Sequence, residues 1–270
     1  MQLTTRKATA GLVAALALVP AVAVAATIDG GPGNETLRGT NAADEINGNG
    51  GNDRIFGRKG DDQLRGGPGN DRIFGGRGND LLSGDANDAG DRTSFDFLSG
   101  NQGDDTINGG DSRDRIYGGE GNDADNGENG NDLMAGGTGD DTQHGGAGND
   151  RIFANLGQDT TYGDEGNDDL WALARGDVQP GPGGAVDQVG DTLDGGAGND
   201  RFHTRDGEVD RITCGDGTDV ALLDNVDVIT DATAEHPNGS CEVVKRHAPR
   251  PRDSAGEDAQ QSPKDASKQS

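Results

Sequence analysis

A nine-residue unit recurs along most of this 270-residue chain, and a repeat of that length restricts the fold more than any other feature. Residues 66–74 read GGPGNDRIF, 75–83 GGRGNDLLS, 145–153 GGAGNDRIF and 195–203 GGAGNDRFH. Counted from Gly30 there are 17 units, two of them long: the unit from Gly84 carries 7 extra residues and the one from Ala172 carries 14. The sixth position is acidic in every unit, Glu35 first and aspartate thereafter. The eighth is Leu, Ile, Met or Phe in 14 of the 17, broken only by Asp125, Gln143 and Thr161. Five loop-forming residues followed by a short strand with one inward apolar side chain make a half-turn of a β-solenoid. The glycines permit positive φ where the chain reverses.

The true period is 18. Odd units read DRIF at 53–56 and 71–74, DRIY at 114–117, DRIF at 150–153 and DRFH at 200–203, whereas even units read DEIN at 44–47, DQLR at 62–65, DTIN at 105–108 and DTLD at 191–194. Two units therefore make one turn, and the solenoid has two chemically different sheets. The alternation resumes in phase after both long units, so each insertion reads as a bulging loop. Because alternate side chains of a strand face opposite ways, position eight points inward and positions seven and nine share the outer surface. The three polar exceptions are themselves 18 apart and stack on the even sheet, and the solenoid is expected to be weakest there, since a poorly paired buried polar group costs about 1–3 kcal/mol.

Composition narrows the function classes. With 29% hydrophobic residues, 3% aromatic and 49 glycines, the chain cannot fill the core of a conventional enzyme. Its 23 Lys and Arg stand against 49 Asp and Glu, for a net charge of −26. Such a chain stays unfolded unless a cation neutralises it, and the same sign excludes nucleic acid and anionic membranes as partners.

These units resemble the RTX, or haemolysin-type, calcium-binding nonapeptide family, with consensus G-G-x-G-x-D-x-U-x. The likeness spans residues 30–203. It implies an all-β fold, a parallel β-roll solenoid of about 17 units with two per turn, in which Ca²⁺ ions lie between loops stacked on one side. It further implies loop carbonyls and position-six aspartates as ligands. Calcium's preference for about six to eight oxygens at roughly 2.3–2.6 Å fits that donor set independently. Ala42 and Ser112 replace the fourth-position glycine, Ala154 the first and Glu35 the aspartate, and the insertions are expected to break the loops at Asp96 and Asp191. Intact same-side pairs remain at Asp53/Asp71, Asp132/Asp150 and Asp150/Asp168 on one edge. On the other edge they are Asp62/Asp80, Asp80/Asp105, Asp105/Asp123 and Asp123/Asp141. These pairs are the candidate sites for several calcium ions.

The ends read differently. Arg6 and Lys7 precede an apolar run over 8–24, and Ala21, Ala23 and Ala25 have the spacing that signal peptidase reads. Residues 1–26 are read as a signal peptide cut after Ala25 or Ala26, the alternative being a membrane anchor. Cleavage leaves 21 Lys and Arg against 49 acidic residues, or −28, in an extracellular chain with no membrane insertion. Repeats with loop insertions near 85–95 and 173–190 occupy 27–203. A capping segment follows at 204–244, where DRIT, DVAL and NVDVI still look like rungs. Cys214 and Cys241 lie within it. In an exported chain an even pair reads as a disulfide closing the cap, with free thiols or a metal pair as alternatives. Residues 245–270 read as a disordered tail.

On the odd sheet Arg54, Phe56, Arg72, Phe74, Arg115, Tyr117, Arg151, Phe153 and Trp171 form an outward stripe. The rings and guanidiniums either stack between rungs or hold a cell-envelope glycan or protein partner. No H-E-x-x-H surrounds His144, His203, His236 or His247 and no G-x-S-x-G is present, so no enzyme is expected. The leading reading is a secreted calcium-binding repeat protein that folds on its ions. The alternative is a calcium-dependent binding module or adhesin. An ice-binding surface would need a regular threonine ladder, and Thr106, Thr142, Thr160 and Thr192 lack consistent companions. The N-terminal signal departs from the uncleaved C-terminal signal of many relatives, which favours the general secretory route over a pore-forming toxin.

Overall fold

The computed structural model describes residues 24–84, 94–172 and 190–247. Most of the expected signal peptide, the bodies of both insertions and the tail beyond 247 lie outside the described residues. Within them every regular element is a β-strand, and no helix is long and apolar enough to cross a membrane.

The strands alternate between two parallel sheets of 13 and 11 strands. Glu45–Asn47, Gln63–Arg65, Leu81–Ser83 and Thr106–Asp111 are successive rungs of the even sheet, and Arg54–Lys59, Arg72–Arg77, Phe97–Gln102 and Arg115–Glu120 of the odd one. Equivalent residues are 18 apart, as in Ile55 opposite Ile73. Across the two insertions the interval becomes 25 and 32, yet Ile73 still faces Leu98 and Leu170 faces Phe202. Each insertion leaves and re-enters the solenoid without changing parity.

Within a rung the burial follows the strand's alternation, position seven exposed, eight buried and nine half-buried. Ile46, Leu64, Leu82 and Ile107 from one sheet and Ile55, Ile73, Leu98 and Ile116 from the other are fully buried. Each contributes about 1.5–3 kcal/mol, and each touches only neighbouring rungs, so stability accumulates turn by turn.

The polar column lies where the alternation placed it. Asp125 pairs with Gln143 and Gln143 with Thr161 on the even sheet, and all three are buried. Thr161 Oγ1 donates to Gln143 Oε1 at 3.2 Å, but both carboxylate oxygens of Asp125 and Nε2 of Gln143 have no partner. The apolar interior falls into two packed groups, one running from Ile46 to Ile152 and the other from Leu170 through the cap.

Both ends extend the repeat. Thr27–Asp29 forms a strand ahead of the first counted unit and pairs with Glu45–Asn47. In the cap, Arg211–Thr213, Val220–Leu223 and Val228–Ile229 continue the two sheets, and Val243–Arg246 closes the odd one. The last strand runs two residues past the expected start of the tail, anchored by Arg246 Nη1 donating to the Asp224 and Asp227 carbonyls at 3.0 Å each. Cys214 and Cys241 form a disulfide across a sequence separation of 27, which on the chain-entropy model contributes about 3–4 kcal/mol.

Candidate cation sites on the solenoid edges

Every position-six aspartate sits where the loop enters its strand, at one of the two edges, and its carboxylate reaches to the neighbouring turn. The backbone N–H of Asp53 donates to Asp71 Oδ1 at 2.7 Å. The same contact joins Asp132 to Asp150 and Asp150 to Asp168 on that edge, and Asp62 to Asp80, Asp80 to Asp105, Asp105 to Asp123 and Asp123 to Asp141 on the other, at 2.7–2.8 Å. All seven expected pairs are thus brought together. The ladder also passes through the loops that the insertions were expected to break, with Asp71 donating to Asp96, Asp96 to Asp114 and Asp159 to Asp191. The extra residues leave the chain upstream of the aspartate, so the final approach to the strand is unaltered.

The second carboxylate oxygen is placed differently. Oδ2 of Asp53, Asp62, Asp80, Asp105, Asp123, Asp132, Asp141, Asp150 and Asp168 is buried and has no hydrogen-bond partner, and Asp71 is buried in the same row. It points at the first glycine of its own unit. A Cβ on Gly127 would stand 2.5 Å from both Asp132 Oδ2 and the Gly145 carbonyl oxygen, so glycine is needed there for room, not for its φ. Two hard oxygens thus converge beside one bare Cα, a donor set that suits calcium. Asp44 is the counter-example: Thr40 N–H donates to its Oδ2 at 2.5 Å and Thr40 Oγ1 to its Oδ1 at 3.0 Å, so its carboxylate is already engaged.

Burial dominates the electrostatics. Desolvation pushes Asp80 and Asp141 up to about 7 and Asp105, Asp132 and Asp168 up to about 8, against backbone hydrogen bonds that pull the other way. Asp62, Asp123 and Asp150 rise to about 6 for the same reason, and Asp53 is raised. Neighbouring carboxylates add to the rise at most of these groups, as Asp61 and Asp62 do at Asp80. Such a row is stable only when a proton or a cation offsets its charge. No three carboxylate, imidazole or thiol side chains among the described residues converge on one point, so any ion must draw most of its oxygens from loop carbonyls.

A second ladder went unread in the sequence. At position five the backbone N–H of Asn52 donates to Asn34 Oδ1 at 2.8 Å, Asn149 to Asn131 at 2.7 Å and Asn167 to Asn149 at 2.9 Å. On the other edge Asn79 donates to Asp61 and Asn122 to Asp104, each at 2.9 Å. This ladder points toward lower residue numbers while the position-six ladder points toward higher ones, so each turn is tied in both directions. The recurring Asn-Asp or Asp-Asp dipeptide was its signal.

The odd-sheet stripe is partly self-satisfied. Arg54, Arg72, Arg115 and Arg151 are exposed and Phe56, Phe74, Tyr117 and Trp171 half-buried. Phe56 stacks on Phe74 with centroids 5.1 Å apart, and Trp171 stacks on His203 at 3.6 Å. Phe153, expected on the outer surface, is buried instead: its ring lies 5.8 Å from that of Trp171, and the following Ala154 and Asn155 are buried too. Phe97, a position-seven residue, fills the gap left by Ser99, 5.5 Å from Phe74 and 5.4 Å from Tyr117.

The family model for the RTX calcium-binding nonapeptide repeat (4 copies) matches residues 29–64, 56–88, 93–124, 126–143, 136–170 and 190–221. Among curated proteins none matches the chain.

Proposed function

The chain belongs to the RTX calcium-binding nonapeptide repeat family, and we propose that it is a secreted structural protein whose fold is completed by several calcium ions along its two edges. A β-solenoid of RTX repeats is a structural calcium-binding fold, typical of secreted bacterial proteins. The finer reading assigns Asp53, Asp62, Asp71, Asp80, Asp105, Asp123, Asp132, Asp141, Asp150 and Asp168 as ligands through Oδ2, together with glycine-loop carbonyls. Bound calcium supplies the positive charge that the row lacks. The observation that carries this reading is the repeated, buried Oδ2 without a hydrogen-bond partner.

The chain's own residues prepare the sites. Oδ1 fixes each carboxylate on the N–H of the turn below, and the bare first glycine lets Oδ2 and a carbonyl oxygen approach the same backbone. Residues 1–26 act as a signal peptide for the general secretory route, and 204–244 cap the open end. No catalytic role is assigned.

Removing calcium tests this reading. Sites of extracellular modules bind at about 10⁻⁴–10⁻³ M, and each adds RT ln(1 + [L]/Kd) of stability. Residues 27–270 should therefore lose most of their β circular dichroism in excess chelator and regain it in millimolar calcium. An unchanged spectrum would refute calcium-coupled folding. A second reading, a calcium-dependent module that holds a cell-envelope partner on its odd sheet, is favoured by Arg54 and Arg72, which are exposed near the N-terminal end of that sheet and form no ion pair among the described residues.

A further inference from the structure

A groove crosses the odd face of the first turns, between the position-five and position-seven columns. Asn34, Asn52 and Asn70 line one side and Thr36, Arg54 and Arg72 the other. At the next rung the unit that carries the first insertion departs from its neighbours. It places Phe95 at position five and Phe97 at position seven, where Phe97 is in register with Arg72. The two rings wall off one end of the groove. Arg115 holds Phe95 in place, its guanidinium carbon 5.2 Å from the ring centroid, while Phe97 leans on Phe74 and Tyr117.

The position-six residues Glu35, Asp53 and Asp71 form the floor between the two columns, and the walls that rise from it present mainly donors. Oδ1 of Asn34 and of Asn52 is taken by a backbone N–H of the following turn, so these side chains offer their Nδ2 amides. Arg54 and Arg72 are exposed, stand on adjacent rungs and form no ion pair with a described residue. Two guanidiniums one rung apart, roughly 4.8 Å, are unexpected in a chain of net charge −26, where partners of opposite sign abound. The carboxylates that line the floor are turned away, Asp53 and Asp71 being buried in the edge ladder and half-buried Glu35 directing its Oε1 toward Gly31 and Gly33 of its own loop.

We propose that this groove binds an acidic oligosaccharide. Carboxylates on neighbouring sugars would pair with Arg54 and Arg72, the preferred partners of a planar guanidinium. Hydroxyls would accept from the asparagine amides, and a pyranose face would rest against Phe95 and Phe97. An acidic peptide fits less well. The floor strands are paired within the sheet, so a ligand lying on the face gains no backbone ladder and must be read through side chains alone. The inference rests on the binding-module reading above and on the folded solenoid, since only stacked turns bring these donors into one groove. It also requires the edge carboxylates to be neutralised, which makes binding calcium-dependent.

The test is equilibrium dialysis of the chain, folded in millimolar calcium, against labelled tetragalacturonate, a tetramer too short to gel with the ion. Saturable binding is expected, and Arg54→Gln with Arg72→Gln should weaken it at least about tenfold while the calcium-dependent circular dichroism stays as in wild type. Phe95→Asn, which restores the ordinary position-five residue, should weaken it by a smaller factor and serves as the probe should the double variant fold poorly. Maltotetraose should not bind. Absence of saturable binding by the folded wild type, equal binding by a folded variant, or equal binding of oligoglutamate would each overturn the assignment. Failure of calcium-coupled folding is distinguishable, because circular dichroism reports it before any sugar is added.

Discussion

At the edge of the solenoid a buried aspartate such as Asp80 has Oδ1 on the N–H of Asp62 and Oδ2 beside a glycine carbonyl, whereas Asp125 in the interior has no partner for either oxygen. Both are buried, and both have raised pKa values through desolvation. The difference is what surrounds them. At the edge, backbone N–H groups and carbonyls are arranged around the carboxylate in every turn, and the charge has a structural use. In the interior, Ile107 lies on one side and Gln143 on the other. Burial and the charges of Asp123, Asp141 and Asp105 hold Asp125 well above the usual carboxylate range, which favours its neutral form. Burial alone does not suit an aspartate to hold a cation; the backbone oxygens and N–H groups around it decide that.

The largest expected effect separates protons from calcium at the edges. The metal-free fold raises Asp80 to about 7 and Asp105 and Asp132 to about 8 from an ordinary value of 3.8. Raised groups favour the folded state fully below their unfolded pKa, and that contribution disappears as pH climbs through the folded value. In calcium-depleted buffer β content should therefore rise on acidification from pH 8 to about pH 4, whereas in saturating calcium it should be high at pH 8. Circular dichroism that is flat with pH in calcium-depleted buffer would break the comparison, since the edge carboxylates would then not govern folding.

Next come substitutions that divide the two oxygens of one edge carboxylate. Asp80→Asn keeps an acceptor for the Asp62 N–H and removes the charge, so it should shift the calcium midpoint upward while approaching wild-type stability at saturation. Asp80→Ala should in addition lose about 1.5–3 kcal/mol at saturation, the range for a hydrogen bond to a charged group. Identical urea midpoints for the two variants in saturating calcium would mean that Oδ1 contributes nothing. In the interior the sign reverses. Asp125→Leu removes two unpartnered oxygens and restores an apolar rung above Ile107, and should raise stability by about 1–3 kcal/mol. Destabilisation of that size in urea would show that Asp125 has a partner after all.

The smallest effect is conformational. Arg58 occupies the second position of its loop with φ of 91°, where other units place a glycine such as Gly76 at 123°. Arg58→Gly should stabilise the edge by about 1 kcal/mol, the cost of the left-handed region for a residue with a Cβ. A lower melting temperature would count against it.

Periodicity made much of this legible. The inward row from Ile46 to Leu170, the two unlike sheets and the parity across both insertions all follow from residues spaced by 18, because a strand's alternation and a turn's length leave no other arrangement. The polar column was legible for the same reason. What escaped is set by atoms that a repeat does not reveal. Position five looked like ordinary loop polarity, since an asparagine that accepts from the neighbouring turn reads like one that caps its own. The first and second glycines look alike in sequence, yet Gly127 is required by crowding and Gly76 by its φ of 123°. In the cap the interval drifts from 19 to 17, and Glu242 stands in for aspartate on the Asp219 N–H, which hides the last rung from any nine-residue template.

The disulfide has a mechanical consequence. Hydrogen bonds between turns run along the solenoid axis, so tension between the two ends pulls turns apart one at a time instead of shearing many bonds together. Force entering at the C-terminal end peels Val243–Arg246 and then passes through Cys241 to Cys214. Residues 215–240 are thereby excluded from the load path. At the opposite end nothing covalent intervenes, and the first rungs, Thr27–Asp29 and Thr36–Arg38, are only three residues each. Once Val243–Arg246 has peeled, the molecule is expected to yield further from its N-terminal turn, in small steps of one turn each.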